Sequence, residues 1–291
     1  LKRAVADDIK RLNMVFENKT VAFIGSGVMG EAMIGGLLGK SLLTADQIVA
    51  TDAREERTHE LTARYGIRAT TDNAAAAEMA NILVLSVKPQ VFPQVARSVR
   101  GRAGGAQLVL SILAGVKIRT IADGLLNPSV VRAMPNTPAQ IGQGITVWTA
   151  TPEVPEPQRE QARQLLRALG DEIFMDDEKY LDMATALSGT GPAYVFLFME
   201  AMIDAGVHMG FSRRDAEKLV IQTMRGSVEF ADKSGLHPAE LRNQVTSPGG
   251  TSAEAIYHLE KGGLRTVLAR AVWAAYQRSV SLGGGDVKKP D

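Results

Sequence analysis

Lys19-Thr20-Val21-Ala22-Phe23-Ile24-Gly25-Ser26-Gly27-Val28-Met29-Gly30 begins the regular pattern of this 291-residue chain: a short apolar run, reading as a buried strand, breaks into Gly-x-Gly-x-x-Gly. That order predicts a strand, a tight turn and a helix start. Gly25 permits the turn, Gly27 lets backbone amides approach a pyrophosphate with no Cβ in the way, and Gly30 lets the helix sit close to the strand. Around them Ser26, Val28 and Met29 supply backbone where the helix begins, and unpaired N–H groups at a helix N-terminus favour an anion. Glycine-rich turns are common, so the context matters. A helix from Glu31 to about Lys40 leads into a second strand, Gln47-Ile48-Val49-Ala50-Thr51, which ends in Asp52. There an acidic residue meets the hydroxyls of an adenosine ribose. Strand, glycines, helix and acid together predict a dinucleotide-binding site.

Outward from this unit, short β-branched runs alternate with helical stretches to about Asp176, the pattern of an α/β, doubly wound, mostly parallel sheet with crossover helices. Residues 82–87 (Ile-Leu-Val-Leu-Ser-Val) are apolar at nearly every position, as a strand covered on both faces should be. Further strands are expected at 108–112, 130–134, 145–150 and 172–175, with a helix from the proline-rich stretch 151–157 to about 169. Ligands of open α/β sheets collect at the carboxyl ends of the strands. Asp52, Asn73, Lys88-Pro89 and Ala114-Gly115 are therefore predicted to face one crevice, although any single strand end is by default a turn.

After about Asp177 the period is helical throughout, which places a boundary there. The expected organisation is an N-terminal extension (1–18), a dinucleotide-binding domain (19–177) and an all-α domain (178–291). A helix over 180–187 is broken by Ser188-Gly189-Thr190-Gly191-Pro192, and Pro192 suits the first turn of a second helix, through about Met209. That helix is apolar on almost every face, so it must be buried all round, at the centre of a bundle or of a dimer core, with the dimer favoured. Ser212-Arg213-Arg214-Asp215 reads as a capping box opening a helix to about Lys233. A last helix is expected over 264–282, followed by Gly283-Gly284-Gly285 and a charged tail expected to be mobile.

Composition excludes several functions. With 33 basic and 32 acidic residues the net charge is +1, far from the dense positive field that phosphate-backbone binding requires, so nucleic acid is not an expected partner. The absence of cysteine rules out disulfides, thiolate nucleophiles and cysteine-held metals, and is compatible with a reducing, cytoplasmic location. His59, His208, His237 and His258 show no metal-ligand spacing and no obvious carboxylate partner, so no metal is expected. The apolar run 193–199 ends at Glu200, well short of the roughly 20 residues that span a bilayer, and no membrane segment is read. Residues 1–18 lack a signal-peptide core and read as a frayed helix, with Met14 a candidate start.

A second stretch with chemical content is Ser247-Pro248-Gly249-Gly250-Thr251-Ser252-Ala253-Glu254, a glycine turn opening a helix. Thr251-x-x-Glu254 fits a capping box, which accounts for the local pattern by itself. A helix mouth preceded by glycines also offers free amides to a small carboxylate, and Ser252 would present its hydroxyl to the same ligand. Glu200 and Asp204, one turn apart, are expected to bond to backbone or to a basic residue such as Arg225 rather than to form a paired-acid site.

The chain resembles pyrroline-5-carboxylate reductase from residue 21 to about 282. The resemblance rests on the glycine-rich stretch 23–30 together with Val87-Lys88-Pro89-Gln90, Ala114-Gly115-Val116, Arg132-Ala133-Met134-Pro135-Asn136-Thr137-Pro138-Ala139, Leu187-Ser188-Gly189-Thr190-Gly191-Pro192-Ala193-Tyr194 and Ser247-Pro248-Gly249-Gly250-Thr251. It implies a Rossmann domain, a helical dimerisation domain and dimers that assemble further into decamer-like rings. The active site would lie between one subunit's cofactor and the helical domains of the dimer. By the same resemblance Asn73, Val87, Lys88, Pro89, Ala114 and Gly115 line the cofactor, while Glu178, Gly250, Thr251 and Ser252 line the substrate, 1-pyrroline-5-carboxylate.

A nicotinamide would deliver a hydride to the C=N carbon while the ring nitrogen becomes or stays protonated, so the site needs a donor at nitrogen and an anchor for the carboxylate. The helix mouth at 250–252 can supply both. The family usually has threonine where Ser252 stands; the hydroxyl survives without the β-methyl that fixes its rotamer. Ser252 is assigned to orienting the imine and relaying a proton. The family typically uses NADPH, yet Asp52 repels a 2′-phosphate while accepting ribose hydroxyls, with Arg54 and Arg57 pulling the other way. NADPH with real NADH activity is the expectation. Two other classes share the first domain: a β-hydroxyacid dehydrogenase, which would need a lysine beside Ser188-Gly189-Thr190-Gly191-Pro192, and a dinucleotide sensor, which has no need of two hydroxyl-bearing helix mouths.

Overall fold

The computed structural model describes residues 15–102, 104 and 107–285. The readings of residues 1–14, with Met14, and of the tail beyond 285 lie outside them. The chain forms two compact units, one comprising residues up to Thr190 together with those from Ala275 onward, the other Gly191–Ala274.

The first unit is built on an eight-stranded sheet in the order β3-β2-β1-β4-β5-β6-β7-β8. Its strands are β1 (Val21–Ile24), β2 (Ile48–Thr51), β3 (Arg68–Thr70), β4 (Ile82–Leu85), β5 (Leu108–Ser111), β6 (Val130–Met134), β7 (Gly144–Ala150) and β8 (Gly170–Phe174). All neighbours are parallel except β6 and β7. The helices of this unit are α1 (Val28–Gly39), α2 (Glu55–Tyr65), α3 (Asn73–Met79), α4 (Phe92–Val99), α5 (Ile118–Leu125), α6 (Glu156–Arg167) and α7 (Lys179–Ala184). Successive strand residues point to opposite faces, so β1 sends Val21 and Phe23 into a core with Met33, Leu37 and Leu61, and Ala22 and Ile24 into another with Ala76, Val95 and Ile121. Both faces are covered, which is why the strands read as unbroken apolar runs. Two features escaped the sequence. β3 is too short and too exposed to carry an alternation, and the helix expected over 180–187 is α7 followed by a π turn, Thr185–Gly189.

The second unit comprises α8 (Gly191–His208), α9 (Arg213–Ser234), α10 (Pro238–Gln244), α11 (Thr251–Lys261) and the first half of α12 (Leu264–Leu282), whose last turns belong to the first unit. Ser212 caps α9 as expected, its Oγ accepting the Asp215 N–H at 3.1 Å. The expectation that α8 is buried on all sides is not met within one chain. Only Gly206 is buried, while Phe196 is 60% and Leu197 67% exposed. Asp204 pairs with Arg213 at 2.9 Å rather than with Arg225. The helical run Lys179–His208 has the length and, at mean hydropathy 1.2, the composition of a membrane span, which counting consecutive apolar residues missed. Its π turn and its Asp182, Glu200 and Asp204 suit a packing helix better than a lipid-facing one.

Candidate active site

The carboxyl ends of β1, β2 and β4 flank the point where strand order reverses, and there the first unit holds a cavity of about 830 Å³. Gly25, Ser26, Gly27, Asp52, Arg54, Asn73, Val87 and Lys88 line it together. Each motif glycine has its own reason. Gly25 has φ +90°, and a Cβ there would lie 2.5 Å from Val87 Cγ1. At Gly30 a Cβ would lie 2.7 Å from the Gly25 carbonyl oxygen, so this glycine lets α1 approach the turn. Gly27 faces open space, with no described atom within 4 Å of a would-be Cβ, and forms a cradle that a side chain would fill. It is the N-cap of α1 and brings no side chain to the cap; the first helical bond runs from Glu31 N–H to the Gly27 carbonyl. The amides of Val28, Met29 and Gly30 therefore have no intrahelical acceptor.

The turn is fixed by a set of side chains of which the sequence did not single out Thr51 and Ser86. Thr51, fully buried, donates its hydroxyl to Asn73 Oδ1 at 2.6 Å and accepts the Gly25 N–H at 3.3 Å. Ser26 donates to the Thr51 carbonyl at 3.0 Å, and Ser86 to the Gly25 carbonyl at 2.6 Å. Arg57 Nε donates to the Ser26 carbonyl at 3.2 Å, while its other nitrogens pair with Glu31 and Glu60. Those pairings, Glu60 first, hold the guanidinium above its ordinary pKa. Arg57 is thus committed to the turn and is not free to meet a 2′-phosphate, contrary to the sequence expectation. Arg54 is exposed, and Asp52 Oδ1 accepts its Nε–H at 3.2 Å and its backbone N–H at 3.0 Å. Lys88 has no ion-pair partner among the described residues.

Not every predicted residue lines this cavity. Val28 faces a smaller hollow of about 450 Å³ beside α1. Met29 packs against the core, and Pro89 opens a 3-10 turn after Lys88. Ala114 and Gly115 follow β5, where Gly115, at φ +74°, packs on Leu282. Glu178 makes an ion pair with Arg132 at 2.7 Å and accepts the Ile118 N–H at 2.7 Å. A lone arginine inside Val130-Val131-Arg132-Ala133 was the available signal, because a charge on a buried strand demands a partner.

In the second unit the capping-box reading of Thr251 and Glu254 is overturned. Gly250, not Thr251, is the N-cap of α11, and no side chain caps it; Glu254 instead faces His258 at 3.4 Å. Among the described residues neither the Thr251 nor the Ser252 hydroxyl makes a hydrogen bond, so both stand at the helix mouth beside uncapped amides. His237 Nδ1 accepts the Ala239 N–H and so caps α10. The described residues hold no cluster suited to a metal ion.

Residues 178–282 match the family described as pyrroline-5-carboxylate reductase dimerisation, and residues 20–115 match NADP oxidoreductase, coenzyme F420-dependent. The chain is 40% identical over 265 residues to pyrroline-5-carboxylate reductase of Synechocystis, covering 90% of this chain and 98% of that one. It is 42% identical over 263 residues to that of Pseudomonas aeruginosa, covering 90% and 96%. The crystal structure of Plasmodium falciparum pyrroline carboxylate reductase with NADP bound superposes with a TM-score of 0.84 at 30% identity, covering 92% of this chain and 99% of that one. Identity at this level along nearly the whole length places the chain in the pyrroline-5-carboxylate reductase family.

Proposed function

We propose that this protein reduces the cyclic imine 1-pyrroline-5-carboxylate to proline with NAD(P)H, the last step of proline synthesis. The observation that carries the cofactor part is the cradle at Gly27, open in front of three uncapped amides and beside Lys88 and Asp52. Its donors suit a dinucleotide: helix-mouth N–H groups and a lysine for the pyrophosphate, a carboxylate for ribose hydroxyls. Bound there, the reduced nicotinamide supplies a hydride to the C=N carbon. The chain's own residues do the rest. The α11 mouth at Gly250, Thr251 and Ser252 offers N–H groups to the substrate carboxylate, and the unspent Ser252 hydroxyl orients the imine nitrogen and relays its proton. A hydroxyl is a weak acid, so most of the rate comes from holding the reactants together.

NADPH is the preferred cofactor in this reading, with real NADH activity. Asp52 disfavours a 2′-phosphate, but its charge is shared with Arg54, which can turn toward the phosphate. The sequence boundaries, 19–177 for dinucleotide binding and 178–291 for substrate and dimerisation, are kept as functional divisions, although the compact units divide after Thr190 and the last turns of α12 join the first. The exposed apolar side chains of α8 support a homodimer; further assembly into a decamer-like ring and action in the cytoplasm complete the reading. The test is oxidation of NADPH and NADH by the purified protein with racemic pyrroline-5-carboxylate, followed by absorbance with proline identified as product. Turnover with both cofactors supports the reading, and dinucleotide binding without turnover refutes the substrate assignment.

A further inference from the structure

We infer that Arg57 is a positioning residue for the dinucleotide: it holds the Ser26 carbonyl and so aims the Gly27 N–H into the cavity, without touching the ligand itself. The inference rests on the cofactor reading above. The turn has three amides before α1 begins. That of Gly25 is spent on the Thr51 carbonyl at 3.1 Å, whereas those of Ser26 and Gly27 meet no acceptor among the described residues. The two carbonyls that share their peptide planes are both held. Ser86 Oγ donates to the Gly25 carbonyl at 2.6 Å, and Arg57 Nε to the Ser26 carbonyl at 3.2 Å. In a planar trans peptide the N–H points opposite to the C=O, so a clamp on each carbonyl fixes the direction of the amide that follows. Successive unpaired amides of this kind are what an anion-binding nest is made of. Gly27 lines the cavity and Arg57 does not, which puts the guanidinium behind the turn and the Gly27 N–H in front of it.

The guanidinium is itself held by two carboxylates. It lies on α2 with its side chain 17% exposed; Nη2 pairs with Glu31, and Nη1 with Glu60 at 2.9 Å. Glu31 is in the first turn of α1, where its N–H bonds to the Gly27 carbonyl at 2.9 Å. Its carboxylate also takes Arg64 Nη1 at 2.9 Å and the Tyr65 hydroxyl at 3.0 Å. The clamp is thereby tied to the helix whose mouth it serves. Two arginines and two carboxylates leave this cluster with no formal net charge, so Arg57 acts on the ligand through the direction of a peptide and not through its field. A planar fork of N–H donors meets three acceptors at fixed angles, which the compact ammonium of a lysine on its flexible stem does not reproduce.

The test uses Arg57→Lys, which keeps the charge facing Glu31 and Glu60 but not the fork, and Glu60→Gln, a milder cut at the exposed end of the same cluster. Binding of four ligands is measured by calorimetry, which needs no turnover, with thermal unfolding as a control for folding. The ligands are NADP+, NAD+, ADP, which carries a pyrophosphate and no 2′-phosphate, and adenosine 2′-phosphate, which carries the reverse. Arg57→Lys is expected to weaken NADP+, NAD+ and ADP about tenfold each, leaving adenosine 2′-phosphate within about twofold. Glu60→Gln should weaken the same three by roughly threefold, and carries the test if Arg57→Lys does not fold. Losses confined to NADP+ and adenosine 2′-phosphate make Arg57 a ligand of the 2′-phosphate and overturn the inference. Equal losses for all four ligands, or none for any, overturn it too. A wild-type protein that binds neither dinucleotide overturns the cofactor reading itself, a distinct result.

Discussion

The three glycines of the 25–30 turn look alike in the sequence but should fail differently when each is replaced by alanine. Gly25 has φ +90°, where an L-residue costs about 1–2 kcal/mol, and its new Cβ would press on Val87 Cγ1 at 2.5 Å. Overpacking of that kind adds about 1–3 kcal/mol. The sum, about 2–5 kcal/mol, lowers Tm by roughly 5–15 °C for a unit of this size. Gly30→Ala lacks the φ penalty but meets the Gly25 carbonyl at 2.7 Å, so a smaller loss is expected. Gly27 has φ −70° and ψ −168°, ordinary extended backbone, and its Cβ would meet nothing. Gly27→Ala should therefore hold or raise stability, by about 0.4–1 kcal/mol through the less flexible unfolded chain. Its Cβ would occupy the cradle, and NADPH binding should weaken at least about tenfold, as expected where backbone must approach a pyrophosphate closely. Thermal unfolding without ligand and a fluorescence titration with NADPH separate the two effects. Gly27→Ala protein that binds NADPH like wild type, or Gly25→Ala protein as stable as wild type, would refute the reasoning.

Three further outcomes are expected. Ser252→Ala should lower turnover about ten- to a thousandfold with dinucleotide binding intact, and unchanged turnover would remove Ser252 from the mechanism. Asp52→Ser should shift the ratio of kcat/KM values toward NADPH by about tenfold, while Arg54→Ala shifts it toward NADH; equal shifts in both cofactors would separate the pair from specificity. Burial pushes the Glu31 carboxyl up, but hydrogen bonds from Arg57 and Tyr65 and the charges of Arg57 and Arg64 outweigh it and hold the group below its ordinary pKa. A lowered folded pKa stabilises above the unfolded value of about 4.3 and is lost as pH falls through the folded value. Glu31→Gln should therefore unfold at lower temperature than wild type at pH 7 and converge with it toward about pH 3; parallel curves would exclude the linkage.

What the sequence disclosed follows from where local chemistry is dictated locally. The β1 turn was legible because Gly25, Gly27 and Gly30 each answer a backbone demand, and α12 was found end to end because its apolar period stops at glycines. Elements set by partners distant in the chain were not. α7 gives way to a π turn in which the Thr190 N–H reaches the Thr185 carbonyl, and Gly189 sits where a Cβ would lie 2.8 Å from Met134 Cε. No pattern over 180–190 announces Met134. Thr251-x-x-Glu254 misled because the capping-box pattern is permissive, and Gly250 took the N-cap. Asp204 found Arg213 rather than Arg225 because the turn at Ser212 brings the first residue of α9 back toward α8.

The apolar pattern of α8 and its exposure in the single chain disagree, and the disagreement is informative. Val195, Phe196, Leu197 and Phe198 lie 43–67% exposed on one helix. Covering what remains of these four side chains is worth roughly 3–6 kcal/mol, a large part of the 5–15 kcal/mol that holds a domain together. A second copy of the dimerisation domain supplies that cover in the proposed dimer. Folding of residues 191–274 and subunit association then become one equilibrium, dependent on protomer concentration. α11, with Ser252 at its mouth, belongs to the same unit as α8. The hydroxyl assigned to the imine is therefore placed only as well as the dimer is formed, and dilution should reduce turnover before it disturbs the dinucleotide cavity of the first unit.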